Sequence, residues 1–245
     1  ETARLYFGEY IRFVHGWEPR PHQWLWIAAL QELANGRLRH SKRSEGCEKC
    51  MDMVGCSPEH QTHKLAIKAP PGSGKTAIMT EFAAWMIGRS LLKGEIPQMG
   101  YICFGDDPAM ARSVAIRDTI SDNRQYKALF PAVPDKNKGW GQKEWYLKRH
   151  DPGDPFPTMR AAGITGGILS YRFKTLGVID DPHDGKNLTA GAKMETWSIY
   201  QNSFKTRLLE GTPLVLICTR FADDDLIGRI EKTEKDWCIL HTKAL

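Results

Sequence analysis

The sequence predicts an α/β fold built on a mainly parallel sheet with helices on both faces. Three observations carry that expectation. Strand-like apolar runs recur along the chain, and helical segments lie between several of them. The stretch "AIKAPPGSGKTAIM" (66–79) also passes directly from strand to glycine-rich loop to helix. Parallel strands need crossover connections, and these lay helices over both sheet faces.

In chain order, residues 3–17 and 21–35 read as helices separated by the prolines of "WEPRP". Residues 38–63 are polar, basic and cysteine-bearing, so they read as an insertion. Strands are expected at 64–69, 100–104, 175–180, 213–219 and 237–244, and helices at 75–92, 107–121, 190–209 and 223–234. The stretch 131–158 is rich in proline, glycine and charge, and reads as a long surface excursion with room for a short hairpin. Residues 1–63 are thus expected to form an N-terminal helical segment with an insertion, and 64–245 the core.

At 245 residues the chain can form one large domain or two small ones. No apolar run approaches the ~18 residues of a membrane span, and no signal segment opens the sequence. It starts without methionine inside a helical pattern, which suggests an excerpt of a longer protein. The net charge of +5 is compatible with transient nucleic-acid contact but is also ordinary for soluble enzymes. Of six cysteines, Cys103, Cys218 and Cys238 fall in strand-like runs, where reduced core thiols are expected. The whole reads as a reducing, intracellular protein.

The loop after the first strand points to a nucleoside triphosphate. Across Pro71, Gly72, Ser73 and Gly74, the glycines let backbone N–H groups turn inward around phosphate. Lys75 would neutralise β/γ charge and the Thr76 hydroxyl would ligate magnesium. The strand "TLGVIDD" then ends in two carboxylates. Asp180 would hold magnesium through water, and Asp181 could orient or deprotonate an attacking water, with His183 and Asp184 the next candidates for that base. Thr219, at the end of "PLVLICTRF", could sense the γ-phosphate or be a plain strand-end threonine. Gln23 could read an adenine edge or be a surface glutamine near a helix start. Cys47, Cys50, Cys56 and His60, with His63 an alternative fourth, suit a closed tetrahedral zinc site, or else a loop with incidental thiols.

The stretches "IKAPPGSGKT", "YICFGDDPAMARSVAIRDTISDNRQYKALFP", "GITGGILSYRFKTLGVIDDPHDG" and "LICTRFADDDLIGRI" resemble, in order and spacing, those of large terminase subunits, the DNA-packaging motors of tailed bacteriophages. The resemblance spans about residues 5–245. It implies a P-loop ATPase domain of the ASCE type that uses ATP and magnesium to drive double-stranded DNA into a procapsid through a portal. The implied partners are DNA, the portal protein and the small terminase subunit, and the implied setting is the host bacterium's cytoplasm. The domain would be a monomer in isolation and a ring when assembled. It also implies an arginine near Arg172 acting on a neighbouring subunit's site. Arg112, Arg160 and Arg220 are rival fingers, and a surface arginine is the plain alternative. The family's nuclease domain has no counterpart in these residues, so no DNA cleavage is expected of them. The chain departs from the family in its Asp180–Asp181 pair where many members have Asp-Glu, in Lys174 where an acidic residue is expected, and in the 38–63 insertion. A helicase-like or remodelling ATPase and a nucleotide-gated adaptor with negligible turnover are the alternatives.

Overall fold

The computed structural model describes residues 1–40, 61–149, 151, 153–168, 170–185 and 188–242. Seven strands form one sheet: β1 (Lys64–Lys68), β2 (Met99–Cys103), β3 (Glu144–Trp145), β4 (Met159–Gly163), β5 (Leu176–Asp180), β6 (Leu214–Cys218) and β7 (Cys238–His241). Their spatial order is β3-β4-β2-β5-β6-β1-β7, and every pairing is parallel except β3 with β4. β6 therefore lies between β1, which leads into the phosphate loop, and β5, which ends in the acidic pair. This is the P-loop NTPase fold of the additional-strand type.

Alternation along the strands divides the core in two, because successive side chains point to opposite faces. Leu65, Ile67, Tyr101, Val178 and Val215 face one layer, and Ala66, Ile102, Ile179 and Leu216 face the other. The first layer is closed by α1 (Thr2–Leu5), α2 (Phe7–His15), α3 (Pro21–Ala34), α4 (Lys75–Leu92), α5 (Asp106–Asp122) and α6 (Arg124–Leu129). The second is closed by α8 (Leu226–Thr233) and by the segment that follows α7 (Ala190–Ile199). Aromatic rings dominate the first layer, where Phe7, Phe82 and Trp85 meet at centroid distances of 5.2–5.9 Å. Burying each such ring contributes roughly 1.5–3 kcal/mol. The N-terminal helices thus share one core with the sheet.

The structure corrects the expected elements in four places. The first helix is two, because Tyr6 is extended and ends α1. The helix expected over 190–209 stops at Ile199. It continues as a π-helical turn at Tyr200–Phe204 and a 3-10 turn at Lys205–Arg207. The 131–158 stretch is more than a surface excursion. β3 lies within it and pairs with the unanticipated β4, while Trp145 and Leu147 are buried in the aromatic layer. α6 is a further helix, started by the Asn123 side chain accepting from the Tyr126 N–H at 3.0 Å. Cys103, Cys218 and Cys238 are buried and form no disulfide, as expected of reduced core thiols. Cys47, Cys50, Cys56 and His60 lie outside the described residues, whose flanks meet in an antiparallel bridge between Arg39 and Gln61. Among the described residues no helix is long and apolar enough to cross a membrane.

Glu234 ties the second layer together. Its carboxylate accepts from Tyr200 at 3.0 Å, Gln201 at 2.6 Å, Lys205 at 3.0 Å and the Trp237 indole at 2.8 Å. Burial pushes this carboxyl up, but the bonds from Trp237, Lys205 and Gln201 outweigh it and hold the group at about 2. A carboxyl whose pKa falls on folding stabilises the fold fully above its ordinary value of 4.5, and that contribution fades as pH drops toward 2. Glu234→Gln is expected to lose on the order of 2 kcal/mol at neutral pH. In denaturant melts the gap to the parent should close as pH falls from 4.5 toward 2, and a pH-independent gap would show that the charge is not what matters.

Candidate functional site

The C-terminal edge of a parallel sheet collects the loops that follow each strand, and ligands sit there in open α/β folds. Here that edge carries a cleft of about 530 Å³ lined by Gly72, Lys75, Thr76, Asp181, His183 and Thr219, among others. The phosphate loop supplies its floor. Gly72 and Gly74 have φ of 75° and 86°, a region that side chains disfavour. A Cβ on Gly74 would also stand 2.4 Å from the Gln23 amide nitrogen. Lys75 opens α4, so the N–H groups of its first turn face the cleft.

The side chains predicted from sequence converge on this point. Lys75 Nζ donates to Thr219 Oγ1 at 3.1 Å and lies 3.3 Å from Asp181 Oδ2. The Thr219 N–H donates to Asp181 Oδ1 at 2.9 Å. Asp181 has a φ of 45°, unique to it among the described non-glycine residues, and this turns its carboxylate sideways toward β6. Thr76 Oγ1 donates to Asp180 Oδ1 at 3.2 Å, so the two hard oxygen donors suited to magnesium are adjacent. Asp180 is buried, and burial together with the neighbouring Asp181 pushes its carboxyl up to about 6. The Tyr101 hydroxyl donates to Asp180 Oδ2 at 2.9 Å. Burial first and Asp180 second raise that phenol far above its ordinary range, so it remains a donor.

Gln23 sits at the start of α3 and bridges to the loop. Its Oε1 accepts from the Arg20 N–H at 2.8 Å, and its Nε2 donates to the Ser73 carbonyl at 3.1 Å. His22 Nε2 lies 3.0 Å from the same carbonyl. His183 borders the cleft, but its Nε2 already accepts from the Leu226 N–H at 3.1 Å, and burial lowers its pKa, which keeps the ring neutral. The "TRFADDDLIG" stretch proves to be architectural in part. Asp225 is buried and accepts from Phe221, Ala222 and Gly228 N–H groups, fixing the loop after β6 and starting α8.

The arginines separate clearly. Arg112 Nε stands 3.9 Å from Asp180 Oδ2 within this same site. Arg160 is tied to Glu144 at 3.2 Å and stacks over Tyr171, and Arg220 is paired with Asp223 and Glu231. Arg172 is exposed ahead of β5, at the opposite edge of the sheet from Asp180, so it does not reach this cleft. Sequence reasoning missed Tyr101, His22 and the inward position of Arg112. Only the register of β2 on β5, with Tyr101 opposite Val178, reveals the first of them.

No protein-family model matches the chain, and no curated protein does. Its likenesses are to solved structures. The Dbp5 protein of S. cerevisiae, in a complex containing ADP, superposes with a TM-score of 0.54 at 14% identity over 98% of this chain. The large terminase of bacteriophage HK97 superposes with a TM-score of 0.52 at 14% identity over 100% of this chain. The chain spans 52% and 44% of those two proteins' lengths. At this identity the likeness is one of fold.

Proposed function

We propose that the chain is an ATP-hydrolysing motor domain of the large terminase type, whose turnover drives double-stranded DNA through a portal into a procapsid in the cytoplasm of a host bacterium. One observation carries the nucleotide part: Lys75 and Thr76 at the start of α4, Asp180 and Asp181 at the end of β5, and Thr219 just after β6 meet at a single cleft. The terminase part is supported by the four sequence stretches named above. The HK97 likeness is consistent with it but is matched in size by the likeness to Dbp5. For that reason a helicase-like or remodelling ATPase is the second reading.

Each residue has a definite task in this reading. The loop N–H groups and Lys75 bind the β- and γ-phosphates, and Thr219 holds the Lys75 ammonium on the side where the γ-phosphate would lie. Thr76 and Asp180 would hold magnesium, which neutralises phosphate charge when bound. Asp181 is gripped by the Thr219 N–H, and its other oxygen is available to orient or deprotonate water once phosphate oxygens compete for Lys75. Gln23 braces the loop, and reading adenine would require it to exchange one of its two bonds.

Lys75→Ala is expected to abolish hydrolysis and weaken nucleotide binding strongly, whereas Asp181→Asn should keep affinity and lose turnover. Steady-state ATPase assays with and without double-stranded DNA and portal check both. Normal turnover in Lys75→Ala would end the motor reading, and negligible turnover of the parent with every partner would favour the adaptor.

Because Arg172 lies away from its own subunit's cleft, a finger role would have to be played in a neighbouring subunit, within a ring assembled on the portal. Mixing Arg172→Ala subunits with Lys75→Ala subunits should then restore ATPase activity under assembling conditions. A mixture that stays inactive while the parent works would exclude that role.

The Cys47, Cys50, Cys56 and His60 group is proposed as a structural zinc site. Elemental analysis of protein made with zinc available should find about one ion per chain, the content of a single four-ligand site. Metal-free protein would refute it.

A further inference from the structure

The two oxygens of Asp180 are treated differently by the protein around them. Oδ1 accepts from the Thr76 hydroxyl at 3.2 Å and faces the phosphate loop. Oδ2 accepts from the Tyr101 hydroxyl at 2.9 Å, and Arg112 Nε stands 3.9 Å from the same atom. A carboxylate's terminal torsion is broad and two-fold, so nothing intrinsic decides which oxygen faces which way. Here a rigid neighbour decides. Tyr101 is fully buried on β2 opposite Val178, and Asp180 follows two residues later on the same face of β5.

We propose that Tyr101 is a positioning residue for magnesium: supported by Arg112, it engages Oδ2 of Asp180 and so commits Oδ1, beside the Thr76 hydroxyl, to the ion and its water. The proposal rests on the nucleotide reading above and deepens it. A phenylalanine would fill the same core space without bringing a hydroxyl that must find a partner. The neutral phenol has a further advantage over a cation at this depth. It donates to the carboxylate without adding positive charge that would repel the metal. The nearby cation, Arg112, stays 3.9 Å from Oδ2, and its Nε makes no hydrogen bond there, so the phenol is the group in hydrogen-bond contact with that oxygen.

The test uses the whole chain and a fluorescent ADP analogue, so it needs no hydrolysis. Affinity is measured in EDTA and then across a range of magnesium concentrations. Tyr101→Phe is expected to leave the EDTA affinity unchanged within about twofold while raising the magnesium needed for half-maximal enhancement by about tenfold, the size of one hydrogen bond to a charged group. A purely structural role would do the reverse, weakening nucleotide binding in EDTA and leaving the magnesium half-point alone.

Arg112→Gln alters a side chain that is partly in solvent, and should raise the same half-point by about threefold, a weaker effect in keeping with its longer contact. It decides the matter if Tyr101→Phe does not fold. An unchanged magnesium half-point in Tyr101→Phe, or in Arg112→Gln where only that variant folds, overturns the proposal. Thr76→Ala separates this failure from failure of the underlying reading. If Thr76→Ala shifts the magnesium half-point and Tyr101→Phe does not, the magnesium site stands and Tyr101 has no part in it. If the parent itself shows no magnesium effect, the site and the proposal fall together.

Discussion

The position of β6 between β1 and β5 is the constraint on which the cleft depends. Adjacent strands lie about 4.8 Å apart, so one inserted strand sets the ends of β1 and β5 about 10 Å apart. That gap is wide enough for phosphate groups and narrow enough for Lys75 and Asp181 to face each other across it. The inserted strand also fills the gap usefully. Thr219 accepts from Lys75 with its hydroxyl and donates to Asp181 with its backbone, so both flanking strands are registered against one residue. Asp181 accommodates this with a left-handed backbone, a conformation costing on the order of 1 kcal/mol that the surrounding bonds sustain.

The N-terminal helices act on the same cleft from the other side. α3 places Gln23 and His22 on the Ser73 carbonyl, while Trp26 donates to Thr242 at the end of β7. The phosphate loop is thus held to a helix that is itself fixed to the sheet edge. α2 reaches α4 through Glu81, which meets His15 at 2.5 Å and the Tyr10 hydroxyl at 3.3 Å. The helix that presents Lys75 and Thr76 is braced through Glu81, and the φ of 86° at position 74, with Gln23 packed against it, favours glycine there.

What was legible in the sequence was what local chemistry enforces. A glycine-rich turn between strand and helix, and an apolar strand ending in two aspartates, each carry their meaning within a few residues. β4 was missed because "MRAAG" lacks the β-branched and aromatic residues that mark strands, and its place comes from pairing with β2 and β3. The burial of Trp145 was hidden for the same reason, since its indole is satisfied by Ser113, distant in sequence, at 3.0 Å. The helical pattern of 190–209 gave no sign that Tyr200 and Gln201 would turn toward Glu234. Tyr101 looked like an ordinary strand aromatic, and only inter-strand register shows its hydroxyl at Asp180.

In the proposed reading, the loop at 70–76 and the ends of β5 and β6 form one nucleoside triphosphate site. Amide hydrogen exchange, with and without a slowly hydrolysed ATP analogue and magnesium, tests it most directly. Protection is expected to rise together at the N–H groups of residues 72–76 and of Thr219, while the opposite edge of the sheet around residues 172–175 is unchanged. Protection confined to another region, or none at saturating analogue, would contradict it.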